Sequence, residues 1–118
     1  MSKKMGHQSA TFRFKMGILD EPNCHFYTNR YKTTGNLYVA IMDAEGSPYI
    51  TVSVNPPNDF KLTDDFICVK DYSENEGMVD WLKEQGLIEG EPMIKIASGF
   101  VLLPVYKLSA KGKEAFGV

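Results

Sequence analysis

The chain has 118 residues, of which 43% are hydrophobic and 24% charged, and a net charge of −2. That length suits one domain able to bury roughly two-thirds of its unfolded surface, and the composition excludes wholesale disorder. The negative balance argues against a nucleic-acid binder that relies on phosphate neutralisation, and no apolar run reaches the ~20 residues of a membrane span.

Residues 1–8 read as a flexible polar leader, and no apolar segment follows Lys3 and Lys4 as it would in a signal peptide, so the cytoplasm is the expected compartment. From Thr11 the pattern alternates, Phe12, Phe14 and Met16 against Arg13 and Lys15, which predicts a strand. Residues 19–23 carry turn chemistry, and 24–32, with Phe26, Tyr27 and Tyr31, predict a second strand. After a break at 33–36, residues 37–42 and 49–54 flank a turn-rich connector containing Gly46. This is a β-hairpin pattern, and one register sets Leu37 opposite Val52 and Val39 opposite Ile50. Tyr38 and Met42 then lie on the reverse face with Tyr49 and Thr51.

Pro56 and Pro57 end the hairpin, and residues 66–70 form a short apolar strand candidate. Ser73 and Glu76 have capping-box spacing, which predicts a helix over about 74–85. Met78, Trp81, Leu82 and Gln85 recur at helical intervals, and Gly86 suits the position just past its end. Residues 93–96 lead into 100–108, the longest apolar stretch, where Pro104 predicts an edge strand or a bulge. Residues 109–118 read as a flexible polar tail. The expected fold is thus α+β over 9–108, an antiparallel sheet of about five to six strands with one main α-helix on one face.

No phosphate-cradling glycine loop, metalloprotease helix, nucleophile elbow or Cys-x-x-Cys pair occurs. His7, Cys24, His25 and Cys68 supply the ligand types of a zinc site, but an extended strand sends adjacent Cys24 and His25 to opposite faces. The same geometry works against Cys24 as a nucleophile activated by His25. Both cysteines read as partly buried free thiols. Asp64, Asp65 and Asp71 lack the spacing of an EF-hand and read as a solvated loop. No catalytic residue, metal or cofactor is assigned.

Charge is unevenly spread. Lys3, Lys4, Arg13, Lys15, Arg30 and Lys32 make the first third basic, whereas residues 59–91 are rich in Asp and Glu. An acidic face steers a basic partner, and Asp64, Asp65, Asp71, Glu74, Glu76 and Asp80 are its candidate contacts. Tyrosine is enriched in contact surfaces, which makes Tyr38 and Tyr49 candidate anchors on the hairpin's solvent face. The alternative class is a small-ligand or nucleotide-binding domain using an aromatic sheet face. Single-stranded nucleic acid stacked there, with Arg13, Lys15, Arg30 and Lys32 on its phosphates, suits an acidic chain less well.

Three segments also carry a resemblance. Gly35-Asn36-Leu37-Tyr38-Val39 with Glu45-Gly46-Ser47-Pro48-Tyr49-Ile50, then Asp80-Trp81-Leu82 with Gly86-Leu87, then Ser98-Gly99-Phe100 with Pro104-Val105-Tyr106 follow one another in order. Over residues 35–108 the chain resembles a family of small domain-of-unknown-function proteins encoded on plasmids, conjugative elements and phages of Gram-positive gut bacteria. It departs from that family in Val101-Leu102-Leu103, and its first 34 residues match no part of it. The resemblance implies no catalytic residues. It implies a non-enzymatic mobile-element or phage accessory role, acting by protein binding as an inhibitor of host defence of the anti-CRISPR or anti-restriction type. The expected partner is a nucleic-acid-binding host effector, whose basic groove would meet residues 59–91.

Overall fold

Alternating side chains do build the strands. In the computed structural model, which describes residues 6–118, β1 (His7–Gln8), β2 (Phe12–Met16), β3 (Leu19–Arg30), β4 (Leu37–Met42) and β5 (Pro48–Thr51) make a five-stranded antiparallel sheet. A second sheet of β6 (Phe66–Cys68), β7 (Ile88–Ser98) and β8 (Val101–Leu108) has the order β6-β8-β7. Two short helices, α1 (Met78–Glu84) and α2 (Ala110–Phe116), complete an α+β-like fold that is mostly antiparallel sheet. The single expected sheet is therefore two. They meet where Ser53 bridges Val69, with Val54 N–H donating to Cys68 O and Lys70 N–H to Val52 O. No helix among the described residues is long and apolar enough to cross a membrane.

β3 is the spine of the first sheet. Its first half pairs with β2 and its second half with β4 and β1, and Asn23, at a φ of 62°, lies at the handover. The turn expected at 19–23 falls earlier, on Gly17-Ile18, because Gly17 takes the left-handed conformation a two-residue loop needs. The Arg13 guanidinium clamps Asp20 across this hairpin through two 2.8 Å bonds. Of the expected leader, positions 1–5, including Lys3 and Lys4, lie outside the described residues. His7 and Gln8 are strand residues, paired with Thr28 and Tyr27.

The β4–β5 hairpin keeps the expected faces but slides by two residues. Ala40 faces Thr51 and Ile41 faces Ile50, which preserves the side-chain alternation. The Asp43 carboxylate sets the connector by accepting from Glu45 and Ser47 N–H.

The helical stripe is real: Met78, Val79, Trp81 and Leu82 are buried. The capping box is not. Ser73 has a φ of 60° inside a short 3-10 turn, and α1 begins after Gly77. Asp71 does the capping instead, its carboxylate accepting from Gly77 N–H at 2.9 Å and Val79 N–H at 3.3 Å. Gly86 (φ 75°) ends the helix as expected, with Leu87 N–H donating to Leu82 O.

The expected flexible tail is instead α2. Ser109 Oγ accepts from Gly112 N–H at 2.9 Å and donates to Gly86 O at 2.6 Å, which caps the helix and ties it to the end of α1. Phe116 is fully buried and meets Phe26 edge-on at 5.0 Å. Trp81 is the hub of the main core, 4.9 Å from Phe14 and 6.0 Å from both Phe12 and Phe26. Each such ring contributes about 1.5–3 kcal/mol by leaving water. A second cluster of Cys68, Leu103 and Val105 lies under Ile94, Ile96 and Val101.

Pro104 sits in β8, the central strand, and neither on an edge nor at a bulge. The last β6 rung is Cys68 with Val105, and the missing N–H of Pro104 faces Val69 just beyond it, so the ladder loses a single bond at its end. Its carbonyl accepts from Val69 N–H at 3.0 Å.

Candidate protein-binding surface

The six acidic candidates do not form one open face. Asp64 takes both ends of the Arg30 guanidinium, at 2.7 and 2.8 Å, and this bond holds its carboxyl below the usual range. Asp65 pairs with Lys113. Lys70 bonds Glu74 at 2.7 Å, the leading cause of a Glu74 carboxyl at about 2. Asp71 is spent on the α1 cap. Glu76 and Asp80 are exposed. Exposed pairs of this kind add little stability, but they neutralise the field a basic partner would meet.

Neither candidate tyrosine is a free anchor. Tyr38 is half-buried between Tyr27 and Tyr31, at centroid distances of 6.4 and 5.4 Å. Tyr31 in turn bonds Ser53 Oγ at 3.1 Å, and burial raises its phenol. Tyr49 meets Phe14 edge-on at 6.0 Å. Tyr49 and Glu74 are nonetheless brought together, lining an open groove with Ile18, Leu19 and Ile50.

Cys24 faces the core, fully buried, with its neighbour His25 half-buried. Burial raises the Cys24 thiol and pushes Cys68 up to about 12, which suppresses the thiolate that nucleophilic or metal chemistry uses. Among the described residues no group of three or more His, Cys, Asp and Glu is arranged to hold a metal ion.

What the sequence did not mark is the β7–β8 hairpin. Gly99, at a φ of 61°, turns the chain and leaves Phe100 at the tip with full exposure, 109%. Leu102 at 60% and Met93 at 47% are also exposed. The alternation of β7 and β8 explains how. Ile94, Ile96, Val101, Leu103 and Val105 share the face turned to the second core cluster. Met93, Lys95, Ala97, Leu102 and Pro104 share the other. There Asp71, Val79, Lys95, Leu102, Pro104 and Tyr106 line a groove of about 220 Å³. The ammonium of Lys83, on α1, lies 5.1 Å from the Tyr106 ring. Scattered apolar side chains on a surface are ordinary; three on one arm, one of them at its tip, are the pattern of an interface.

A second concavity lies at the other end of α1. Phe12, Phe26, Trp81 and Leu87 floor a groove of about 550 Å³, with His7, Gln85, Lys111 and Glu114 among its polar lining. The signal for it in the sequence was weak, because Lys111 and Glu114 fall in the segment read as tail. Comparison with protein-family models, curated proteins and solved structures finds no match to this chain.

Proposed function

We propose that this protein acts by binding another protein, with the β7–β8 arm as its contact element. The observation that carries this reading is the full exposure of Phe100, backed by Leu102 on the groove face. Folding gains nothing from leaving these side chains in water, whereas burial in a partner's pocket would return about 1.5–3 kcal/mol each. The narrower reading, an accessory inhibitor of a host defence effector, rests on the family resemblance. In it the exposed carboxylates Glu76 and Asp80 meet basic residues of the target.

The test is binding to purified restriction and CRISPR effectors. The double substitution Phe100→Ser with Leu102→Ser is expected to leave stability within ~0.5 kcal/mol and to weaken binding by at least ~2 kcal/mol, about 30-fold. Glu76→Lys with Asp80→Lys is expected to slow association with a basic target. Binding untouched by the arm substitutions would remove the arm from the interface, and no binding to any such effector would end the inhibitor reading.

A second reading, a small-ligand or nucleotide-binding domain, is favoured by the 550 Å³ groove floored by Phe12, Phe26 and Trp81. Its volume falls within the range of known ligand sites. A ligand held there at ~100 times its Kd is expected to add ~2.7 kcal/mol of stability, visible as a raised melting temperature. A panel of nucleotides and aromatic ligands that shifts nothing would dismiss this reading.

A further inference from the structure

The geometry points to a second interaction surface: the outer edge of β2 takes an extended acidic segment of a partner protein as an added antiparallel strand. The inference does not rest on the β7–β8 arm, which belongs to the other sheet.

The edge is open and its backbone polarity can be assigned. β2 pairs with β3 on one side, and among the described residues no strand pairs with the other. Gly17 and Ile18 form a two-residue loop between Met16 and Leu19, which makes that closing rung a hydrogen-bonded pair. The next rung, Lys15 with Asp20, is therefore non-hydrogen-bonded, and the N–H and C=O of Lys15 point away from β3. Those of Phe14, opposite Glu21, point inward, and those of Arg13 outward again. The register shift beyond Phe14 leaves this order intact. From Phe14 to Phe12 β2 advances two residues while β3, from Glu21 to Cys24, advances three. The extra residue is thus on β3, where Asn23 has a φ of 62°. Along β2 the side chains alternate without a break, Arg13 and Lys15 exposed and Phe14 buried between them. An outward row of unsatisfied donors and acceptors is a template for another strand.

Charge decides which strand fits. Antiparallel pairing sets cross-strand neighbours side by side, and like charges there are penalised. A second copy of β2 centred on Arg13, Phe14 or Lys15 would oppose Arg13 to Arg13, Arg13 to Lys15 or Lys15 to Lys15. Acidic residues opposite Arg13 and Lys15 reverse the sign of both contacts. Lys15 makes no ion pair among the described residues. Arg13 bonds Asp20 through Nε and Nη2, which leaves Nη1 for a second carboxylate. Residues of the added strand that alternate with the acids share the face of Phe12, Phe14 and Met16, which belongs to the main core, so they are apolar. The hairpin supplies one further contact, since Ile18 in its loop is 99% exposed. The partner segment is thus an alternation of acidic and apolar residues, held by main-chain bonds to Arg13 and Lys15.

The experiment is an NMR titration of the full chain with an end-blocked peptide in which valine and glutamate alternate, paired with amide hydrogen exchange. Saturable binding is expected, with exchange at Arg13 and Lys15 slowing as the peptide binds. Phe14 and Met16, already bonded to β3, are expected to exchange slowly throughout. A peptide alternating valine and lysine is expected to bind about tenfold more weakly, and so is the glutamate peptide to Lys15→Glu, since attractive cross-strand pairs become repulsive. Lys15 is exposed, and an unchanged melting temperature would confirm that the variant folds. The glutamate amides face β2 in the expected register, so their N-methylation should abolish binding, whereas N-methylation of the valine amides should not. No saturation at millimolar peptide overturns the proposal. So does binding indifferent to the charge of the peptide or to Lys15→Glu, or binding that responds alike to methylation of either set of amides.

Discussion

Phe116→Ala is expected to lower the unfolding free energy by about 3–5 kcal/mol, a large share of the 5–15 kcal/mol typical of a domain. Phe116 is fully buried and packs edge-on against Phe26, itself 6.0 Å from Trp81. Alanine would lose the transfer free energy of the ring and leave a void beside the aromatic hub. The effect does not stop at the cavity. A helix of seven residues has no standing on its own in water, so α2 persists because Phe116 docks it. Its undocking would also expose Leu87 and Leu108, both nearly fully buried. Urea denaturation is the measurement: the midpoint should fall with the slope unchanged, as for a loss of stability without a change of mechanism. A tail that merely frays would show a change within ~0.5 kcal/mol, and that outcome would contradict the docking.

Local patterns carried much of the fold. Period two in Phe12, Phe14 and Met16, the Met78–Trp81–Leu82 stripe and the Asp43–Ser47 connector each encode a local geometry, and each is found. The failures share a cause, which is that the deciding partner is distant in sequence. α2 carries Gly112 and a single large apolar residue and stops at Gly117, so it has no amphipathic stripe to read. It exists because Gly86 O and Leu87 O receive Ser109. Ser73 with Glu76 is a sound capping pattern locally, yet the helix starts later, after Gly77, where the Asp71 carboxylate accepts from Gly77 and Val79 N–H.

The ion pairs of the acidic candidates were hidden for the same reason. Charge counting cannot show that Asp64 is tied to Arg30, 34 positions away, or that Lys113 covers Asp65. The apolar run at 100–108 reads as a strand with an edge or a bulge at Pro104, but half of a strand's side chains face away from whatever it covers, and the run does not say which half. Run length gives the number of apolar residues but not the position of the turn. Gly99 placed Phe100 on the tip, and the pleat turned Leu102 outward.

Gly112→Ala is expected to destabilise by about 3 kcal/mol, although helix propensity alone predicts a gain of ~1 kcal/mol. The reversal comes from a close approach of two backbones. A Cβ at Gly112 would lie 2.1 Å from Leu87 O and 3.1 Å from Leu87 C. Nothing there can give way cheaply. Leu87 O already accepts from Ser109 N–H at 3.1 Å, and Leu87 N–H is held by Leu82 O at 3.0 Å as part of the α1 terminus. To accept a methyl, either α2 lifts, which withdraws Phe116 from Phe26, or the end of α1 unwinds. Both routes cost more than the entropy that alanine saves in the unfolded chain. Lys111→Ala, an exposed change in the same helix, is the control and should stay within ~0.5 kcal/mol. Thermal melts of the two variants side by side decide the matter. If Gly112→Ala melts at or above the wild-type temperature, α2 does not rest on Leu87, and the docking that places Lys111 and Glu114 beside Trp81 fails with it.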